Sequence, residues 1–533
     1  MAKYKGPHFI LEFKLYTQKF HNDLLNKYFY CAEKMYNKTL FYAKNQYFSM
    51  LKDNEYIDTL NNYINSKKEL ERLEQILSSL DSKDKNNKKI IKELKSNIKD
   101  LNKLIQEHFN KLKFIREEKY NLSEYALQKY INVQRKNSYY GVLDSTSVQK
   151  IASIVWKAVE SVIFGDGKKF HFKYNDLTSI EGKSNKSGIR FNKKDLCLNF
   201  NNMIIPIKVR KNDYYAKEAL ENEIAYCRII RKPFKNVYKY FLQIVFKGVP
   251  PIKHNLGKGN VGIDQGTSTI AAIGDKEGLF EPLAPNINDY NKKIIAIQRK
   301  IDRSLKVNNP NCYNKNGTIK KDTKLYKSNH CKKLIQNLKN EYRLKTLYIK
   351  MSHNKLANKI LSLGDEFSTE DMNFKALQKR AKKDSPPEKQ EKESTIKLKD
   401  GSTKKIHKNK KKKRYGKSLN NHAPSSLMKT METKLSYFGK ELIKVNTKKY
   451  KASQYHHDSD TYIKSSLKER FKIIEGKKVQ RDLYSAYLIK NKLDNETIDR
   501  DKCIKDFKKF VKINNKVMKE LSLRSNLPKC MGI

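Results

Sequence analysis

The chain has 533 residues, with 113 Lys and Arg against 57 Asp and Glu, and a formal net charge of +56. That length supports more than one domain. So large a basic excess, spread over the whole chain, favours a long polyanion held through many phosphate contacts. Seven scattered cysteines with no C-x-x-C pair argue against a zinc ribbon and a secreted disulfide framework. The opening Met-Ala-Lys-Tyr-Lys-Gly has no apolar signal region, and no run of residues is long enough to span a membrane. A soluble, cytoplasmic, reduced protein is expected.

Taken in chain order, residues 8–16 alternate in part and read as a strand. Residues 18–52 have helical spacing through Leu24, Leu25, Tyr28, Cys31, Ala32 and Met35. Residues 64–112 carry two apolar stripes, Leu70 to Leu80 and Ile91 to Leu112, separated by a polar break. They predict an antiparallel helical hairpin with coiled-coil character. Such a hairpin serves as an arm, a nucleic-acid contact or a contact between protomers, so a homo-oligomer is an open expectation. Helices follow at 121–140 and 145–163, the second capped at Ser145 or Thr146, with Trp156 in its core face.

From 168 to 249 the texture changes to short strands with polar turns, at 169–174, 189–191, 197–200, 204–209, 225–231 and 238–246. With the first strand returning to them, these predict a β-barrel interrupted by a helical insertion. Residues 253–258 are a linker. A strand, turn and second strand over 260–273 open the last domain, and 285–362 is helical and very basic, including Arg299, Lys300 and Arg303. A strand at 366–369 precedes a low-complexity charged segment, 378–417, containing Arg380 and Arg414. That segment is expected to be a solvated loop, or a lid or strand guide beside a site. A helix at 424–440, a strand at 441–445 and a helix at 480–493 complete the domain.

Three acidic motifs carry the chemistry: Val261-Gly262-Ile263-Asp264-Gln265-Gly266, then Phe367-Ser368-Thr369-Glu370-Asp371, then Gln480-Arg481-Asp482-Leu483-Tyr484. The order is strand Asp, strand Glu, helix Asp, in a basic domain. Carboxylates gathered in a polyanion-binding protein suit metal-dependent hydrolysis of nucleic acid. Two have plainer alternatives: Asp371 or Glu366 competes with Glu370, and Asp482 could be a helix cap. His456 and His457 are adjacent, cannot easily share one ion in regular structure, and read as structural or phosphate-facing.

These motifs, with Lys451-Ala452-Ser453-Gln454-Tyr455-His456-His457, resemble the split RuvC nuclease of TnpB proteins and of the related compact type V CRISPR effectors. The resemblance is specific over about 258–490 and rests on layout alone over 1–250. It implies a multidomain α+β protein. A wedge-like β-barrel would be made of 1–17 and 166–252, interrupted by a helical recognition insertion at 18–165. A ribonuclease-H-like RuvC α/β nuclease domain would occupy 259–533. Asp264, Glu370 and Asp482 would be catalytic and hold Mg²⁺ or Mn²⁺. Arg481 would contact the scissile phosphate or orient a carboxylate, though a plain surface arginine is the equal alternative. Arg299, Lys300, Arg303, Arg380 and Arg414 are the further candidates for nucleic-acid binding.

Many relatives carry a four-cysteine zinc element between the second and third carboxylates. Here 371–481 holds no cysteine, so no zinc is expected. The partners implied are a guide RNA and target DNA, in a prokaryotic, nucleoid-associated setting. The function implied is RNA-guided, Mg²⁺-dependent cleavage of DNA next to a short flanking motif. The alternatives are an RNA-guided repressor with little cleavage, a transposase-type DNA-processing protein, and a structural RNA-binding protein.

Overall fold

The computed structural model describes residues 6–80, 87–138, 141–165, 167–235, 237–378, 392–397, 403–408, 415–466, 469–494, 496–525 and 527–532. The chain forms two units, Met1–Lys232 with Tyr238–Gly248, and Pro233–Val237 with Val249–Ile533. Among the described residues no helix is long and apolar enough to cross a membrane.

In the first unit, β1 (His8–Lys14) leads into α1 (Lys19–Met50), α2 (Asn54–Ser79), α3 (Asn87–Phe114), α4 (Glu124–Ser138) and α5 (Ser145–Phe164). Then come β2 (Ser179–Glu181), β3 (Arg190–Asn192), β4 (Cys197–Phe200), β5 (Met203–Pro206) and α6 (Tyr214–Leu220). β6 (Ile224–Phe234) and β7 (Val237–Lys247) close the series. α1 forms because Leu25, Phe29, Ala32, Tyr36, Leu40 and Ala43 recur at helical spacing and are all buried. α2 and α3 make the expected antiparallel hairpin, with the Tyr63 and Phe109 rings 6.4 Å apart and Lys111 3.4 Å from Glu55. It begins earlier than its leucine stripe, at Asn54, where Asp53 accepts the Glu55 N–H at 3.1 Å. None of α3's residues is buried, so the two apolar stripes have mainly each other to pack on.

This unit departs from expectation in three ways. They form a four-stranded sheet, β1-β7-β6-β2, and a separate three-stranded sheet, β3-β4-β5. The sheets meet at one corner, through the Leu15–Ile207 bridge and the Tyr16 N–H donated to Pro206 O at 3.0 Å. Among the described residues no closed barrel is found: the outer strands β2 and β3 have three residues each and do not pair with one another. Second, residues 169–174 are not a strand. They and their successors are strapped to α1, where Asn37 exchanges two hydrogen bonds with the Lys173 backbone at 2.6 and 2.8 Å. Glu33 accepts the N–H groups of Asn175, Asp176 and Leu177 at 2.6, 2.8 and 3.1 Å. Side chains of α1 thus do for this backbone what a ladder would have done. Third, α5 is capped by Asp144, not by Ser145 or Thr146; its carboxylate accepts the Ser147 N–H at 2.9 Å.

The second unit is a three-layer α/β structure. β8 (Asn260–Gln265), β9 (Thr269–Ile273) and β10 (Gly278–Pro282) form an antiparallel meander, followed by α7 (Ile287–Asn308) and α8 (Asn329–Leu361). β11 (Glu366–Glu370) then pairs parallel with β8. α9 (Phe374–Gln378), β12 (Lys392–Lys397), β13 (Thr403–Lys408), α10 (Gly416–His422) and α11 (Pro424–Ser436) precede β14 (Leu442–Val445), which pairs parallel with β11. After α12 (Thr447–Tyr450) come β15 (Tyr455–His456), β16 (Thr461–Tyr462), β17 (Phe471–Ile474) and β18 (Lys477–Gln480). The unit ends with α13 (Arg481–Lys490) and α14 (Arg500–Ser522).

The resulting sheet order is β10-β9-β8-β11-β14. Leu356, Ile360, Leu427 and Met431 of α8 and α11 cover one face. Tyr484, Tyr487, Phe507 and Phe510 of α13 and α14 build the core on the other. α14 lay unread in the sequence although its buried Cys503, Phe507, Phe510, Val517 and Leu521 carry helical spacing. The segment 378–417, expected as a loop, contains the antiparallel pair β12–β13.

Candidate active site

The register of the two central parallel strands decides where the carboxylates go. Thr369 pairs with Ile263 and Ser368 with Gly262, so the next residues, Glu370 and Asp264, end adjacent strands side by side. Strand pleating puts Gly262, Asp264, Ser368 and Glu370 on one face. α13 lies on that face. A Cβ at Gly262 would stand 2.0 Å from Ala486 O and 2.3 Å from Lys490 N. Only glycine lets the helix backbone come this close to β8. Asp482, Ala486 and Lys490 follow one another at four-residue spacing along the same side of α13. The helix that touches Gly262 through Ala486 therefore carries Asp482, one turn earlier, toward Asp264. Together Asp264, Glu370, Arg481 and Asp482 line one open cavity of about 610 Å³.

Supporting contacts hold these positions. Buried Gln265 donates to Thr369 Oγ1 at 2.6 Å and to Glu370 O at 3.2 Å, while Thr369 Oγ1 donates to Ile263 O at 3.1 Å. The ends of β8 and β11 are thereby tied together. Gln480 caps α13, its Oε1 accepting the N–H groups of Asp482 and Leu483 at 2.6 and 2.8 Å. Asp482 is thus not the cap, and its side chain is left for other contacts.

Burial, then the facing Asp482 and Glu370, raise Asp264 well above the usual carboxylate range, against the opposing pull of Arg481. Burial pushes Glu370 up to about 7. Arg481 grips Asp482 Oδ1 through Nε at 3.1 Å and Nη2 at 3.0 Å, and anchors itself by donating from Nη1 to Glu469 O at 3.0 Å. With its side chain only 14% exposed, it is not a surface arginine. Lys464, Arg470, Ser453, Gln454 and Ser465 line the same cavity. Lys464, Ser465 and Arg470 were missed in the sequence, because a strand–loop segment rich in charge carries no periodic signal; Ser453 and Gln454 stood in a quoted motif without a role.

The other candidates lie elsewhere. Arg299, Lys300 and Arg303 are exposed on α7 and do not line the cavity. Arg380 and Arg414 lie outside the described residues. His457 is buried against Tyr484, Tyr487 and Phe507, with Nδ1 2.7 Å from the Tyr484 hydroxyl and Nε2 3.2 Å from Glu475. Burial holds it and His456 below the ordinary imidazole range.

Carboxylate oxygens are the donors that Mg²⁺ and Mn²⁺ take, and a dication offsets the burial and the repulsion that raise Asp264. The residues fit such an ion in donor chemistry and charge rather than as a preformed cage. Among the described residues no three Asp, Glu, His or Cys side chains are gathered at ligating distance, and Asp482 is turned to Arg481.

The sequence matches no family model, and comparison with curated proteins gives no match. The chain is similar to two solved assemblies. One is a cryo-EM structure of the Cas12f1–sgRNA–target DNA complex, at 12% identity, covering 91% of this chain and 99% of that one, with a TM-score of 0.39. The other is a cryo-EM structure of a CRISPR–Cas12f ternary complex, with the same identity and coverage and a TM-score of 0.23.

Proposed function

We propose that this chain is an RNA-guided DNA endonuclease that hydrolyses phosphodiester bonds at the carboxylate cavity. The observation that carries the proposal is the meeting of Asp264, Glu370 and Asp482, from sequence positions more than a hundred residues apart, in one cavity of a chain with a net charge of +56. The placement of two of them at the carboxyl ends of adjacent parallel strands, beside an antiparallel meander, supports a ribonuclease-H-like, RuvC-type assignment for the second unit. Guide RNA and target DNA are the partners assigned, on the motif resemblance and the basic charge. The recognition insertion at 18–165 and the nuclease domain at 259–533 keep those roles in this scheme.

Asp264, Glu370 and Asp482 would hold Mg²⁺, which when bound polarises the phosphate and supplies a nucleophilic water. The chain's own side chains do the rest. Arg481 positions Asp482 and offers its guanidinium to phosphate. Lys464 and Arg470 give the cavity a cationic wall that draws the backbone in.

The test is co-purification of RNA from cells expressing the native locus, then cleavage of matching DNA with and without Mg²⁺. A discrete RNA and Mg²⁺-dependent cutting are expected. Asp264→Ala should lower cutting by more than the roughly 10–100-fold that losing an outer-shell partner costs, with RNA binding retained. A discrete RNA with binding but no cutting by the unaltered chain would establish the repressor instead. Joined DNA ends would establish a transposase, and no discrete RNA would end the guided reading.

A further inference from the structure

α1 presents a stripe whose rings packing leaves largely open to solvent, with Asn37 and Lys44 half-buried among them. Tyr30, Lys34, Asn37, Phe41, Lys44 and Phe48 are spaced four, three, four, three and four residues apart. At about 100° per residue all six fall within about 40° of one line along the helix. The stripe runs about 27 Å at 1.5 Å per residue. Its rings face solvent: Tyr30 is 59% exposed, Phe41 56% and Phe48 47%. Lysines are interleaved with them, Lys34 Nζ lying 5.4 Å from the Tyr30 ring centre and Lys44 Nζ 5.8 Å from that of Phe48.

The strap that replaced the expected strand joins this surface. Phe170 meets Tyr47 and Phe48 edge-on, Phe172 lies 5.9 Å from Lys44 Nζ, and Tyr174 is 76% exposed. The clasp of Asn37 and Glu33 on the strap backbone makes this a built surface rather than a chance cluster. Large rings exposed in a row with cations between them have one chemical complement: unpaired bases that offer a π-face, on a strand whose phosphates meet the lysines. A duplex keeps those faces covered. Tyr30 and Tyr174 add phenol hydroxyls able to pair with a 2′-OH, which only RNA carries.

We propose that this stripe and strap are the docking surface for an unpaired stretch of RNA. The inference concerns the first unit and does not depend on the carboxylate cavity, so Asp264→Ala must leave it unchanged.

The full chain is photocrosslinked to a 4-thiouridine-labelled oligouridine of about 12 nucleotides, within the usual span of stacking platforms, and the crosslinked peptides are sequenced. Affinities for this RNA, the matching oligothymidine and an RNA duplex are measured at about 0.3 M salt, where exposed charge contacts are largely screened. Crosslinks at Tyr30, Phe41, Phe48 and Tyr174 are expected, with RNA bound more tightly than DNA or duplex. Phe41→Ala with Phe48→Ala should weaken RNA binding by at least about thirtyfold, from two stacked bases. Phe41→Leu with Phe48→Leu, which keeps apolar bulk without a ring, should weaken it comparably and keeps the test open if the alanine pair fails to fold. Lys34→Met with Lys44→Met should lower the salt slope by about 1.4. Crosslinks confined to other segments, leucine variants within about twofold of the parent, or DNA bound as tightly as RNA would each overturn the proposal.

Discussion

Burial raises both Asp264 and Glu370 above the ordinary carboxylate range, and that has consequences for both stability and activity. Glu370 stands at about 7 against an ordinary 4.5, so between those values the folded chain binds a proton that the unfolded chain has lost. Stability from this group is therefore greatest below about 4.5 and falls as pH rises toward 7. In chelator, the melting temperature of the parent should fall across that window more steeply than that of Glu370→Gln, as read by thermal scans at a series of pH values. Mg²⁺ added at neutral pH should raise the parent's melting temperature and leave the Gln variant nearly unchanged, because a bound dication favours the ionised site. Cleavage should rise with pH through the same window. A flat difference between parent and variant would mean that Glu370 ionises freely. The identity of these carboxylates was legible in the three motifs; their mutual repulsion and the grip of Arg481 on Asp482 were not, since both need residues brought together from distant segments.

At the scale of elements, the contact between α13 and β8 is the part of the site with least tolerance. At Gly262 the atoms a Cβ would meet, 2.0 and 2.3 Å away, are backbone and cannot rotate aside. Gly262→Ala should destabilise the chain by about 1–3 kcal/mol, the range for overpacking, and should also displace Asp482. Denaturant unfolding together with the cleavage assay checks this: Asp482→Asn should lose cutting with stability kept, whereas Gly262→Ala loses both. The strap on α1 offers a second test. Burial pushes the Glu33 carboxyl up, but three backbone N–H groups and Arg231 outweigh it and hold the group below its ordinary value. Glu33→Ala should speed hydrogen exchange at 175–177, with about 1–3 kcal/mol lost at the Leu177 N–H, the one of the three whose bond is partly buried. Strands and helices with clear periodicity, such as α1, β8 and β11, were readable from the sequence. The strap was not, because its alternating Lys-Phe-His-Phe-Lys texture is that of a strand and only the side chains of α1 deny it a ladder.

For the whole molecule, the excess of cations should set the salt response. If six or more phosphates are neutralised on a single strand, the logarithm of affinity should fall with that of salt at a slope of about −4 or steeper. Filter binding across salt concentrations measures it, and a slope shallower than about −2 would show that the charge is spent elsewhere. What the sequence determined by itself was local and compositional. The expectation of a polyanion partner follows from net charge, helix and strand type from side-chain spacing, and the order strand Asp, strand Glu, helix Asp from three short motifs. These are properties of neighbouring residues or of the whole composition, and they survive without knowledge of contacts. Only the tertiary structure decided that Glu370 rather than Asp371 stands beside Asp264, because that depends on the β8–β11 register. It also decided that Arg470 and Lys464 wall the cavity, and that the first unit's strands form two sheets instead of a closed barrel. Each of these is a pairing between segments far apart in the chain, fixed by which backbone groups find partners once the cores are packed.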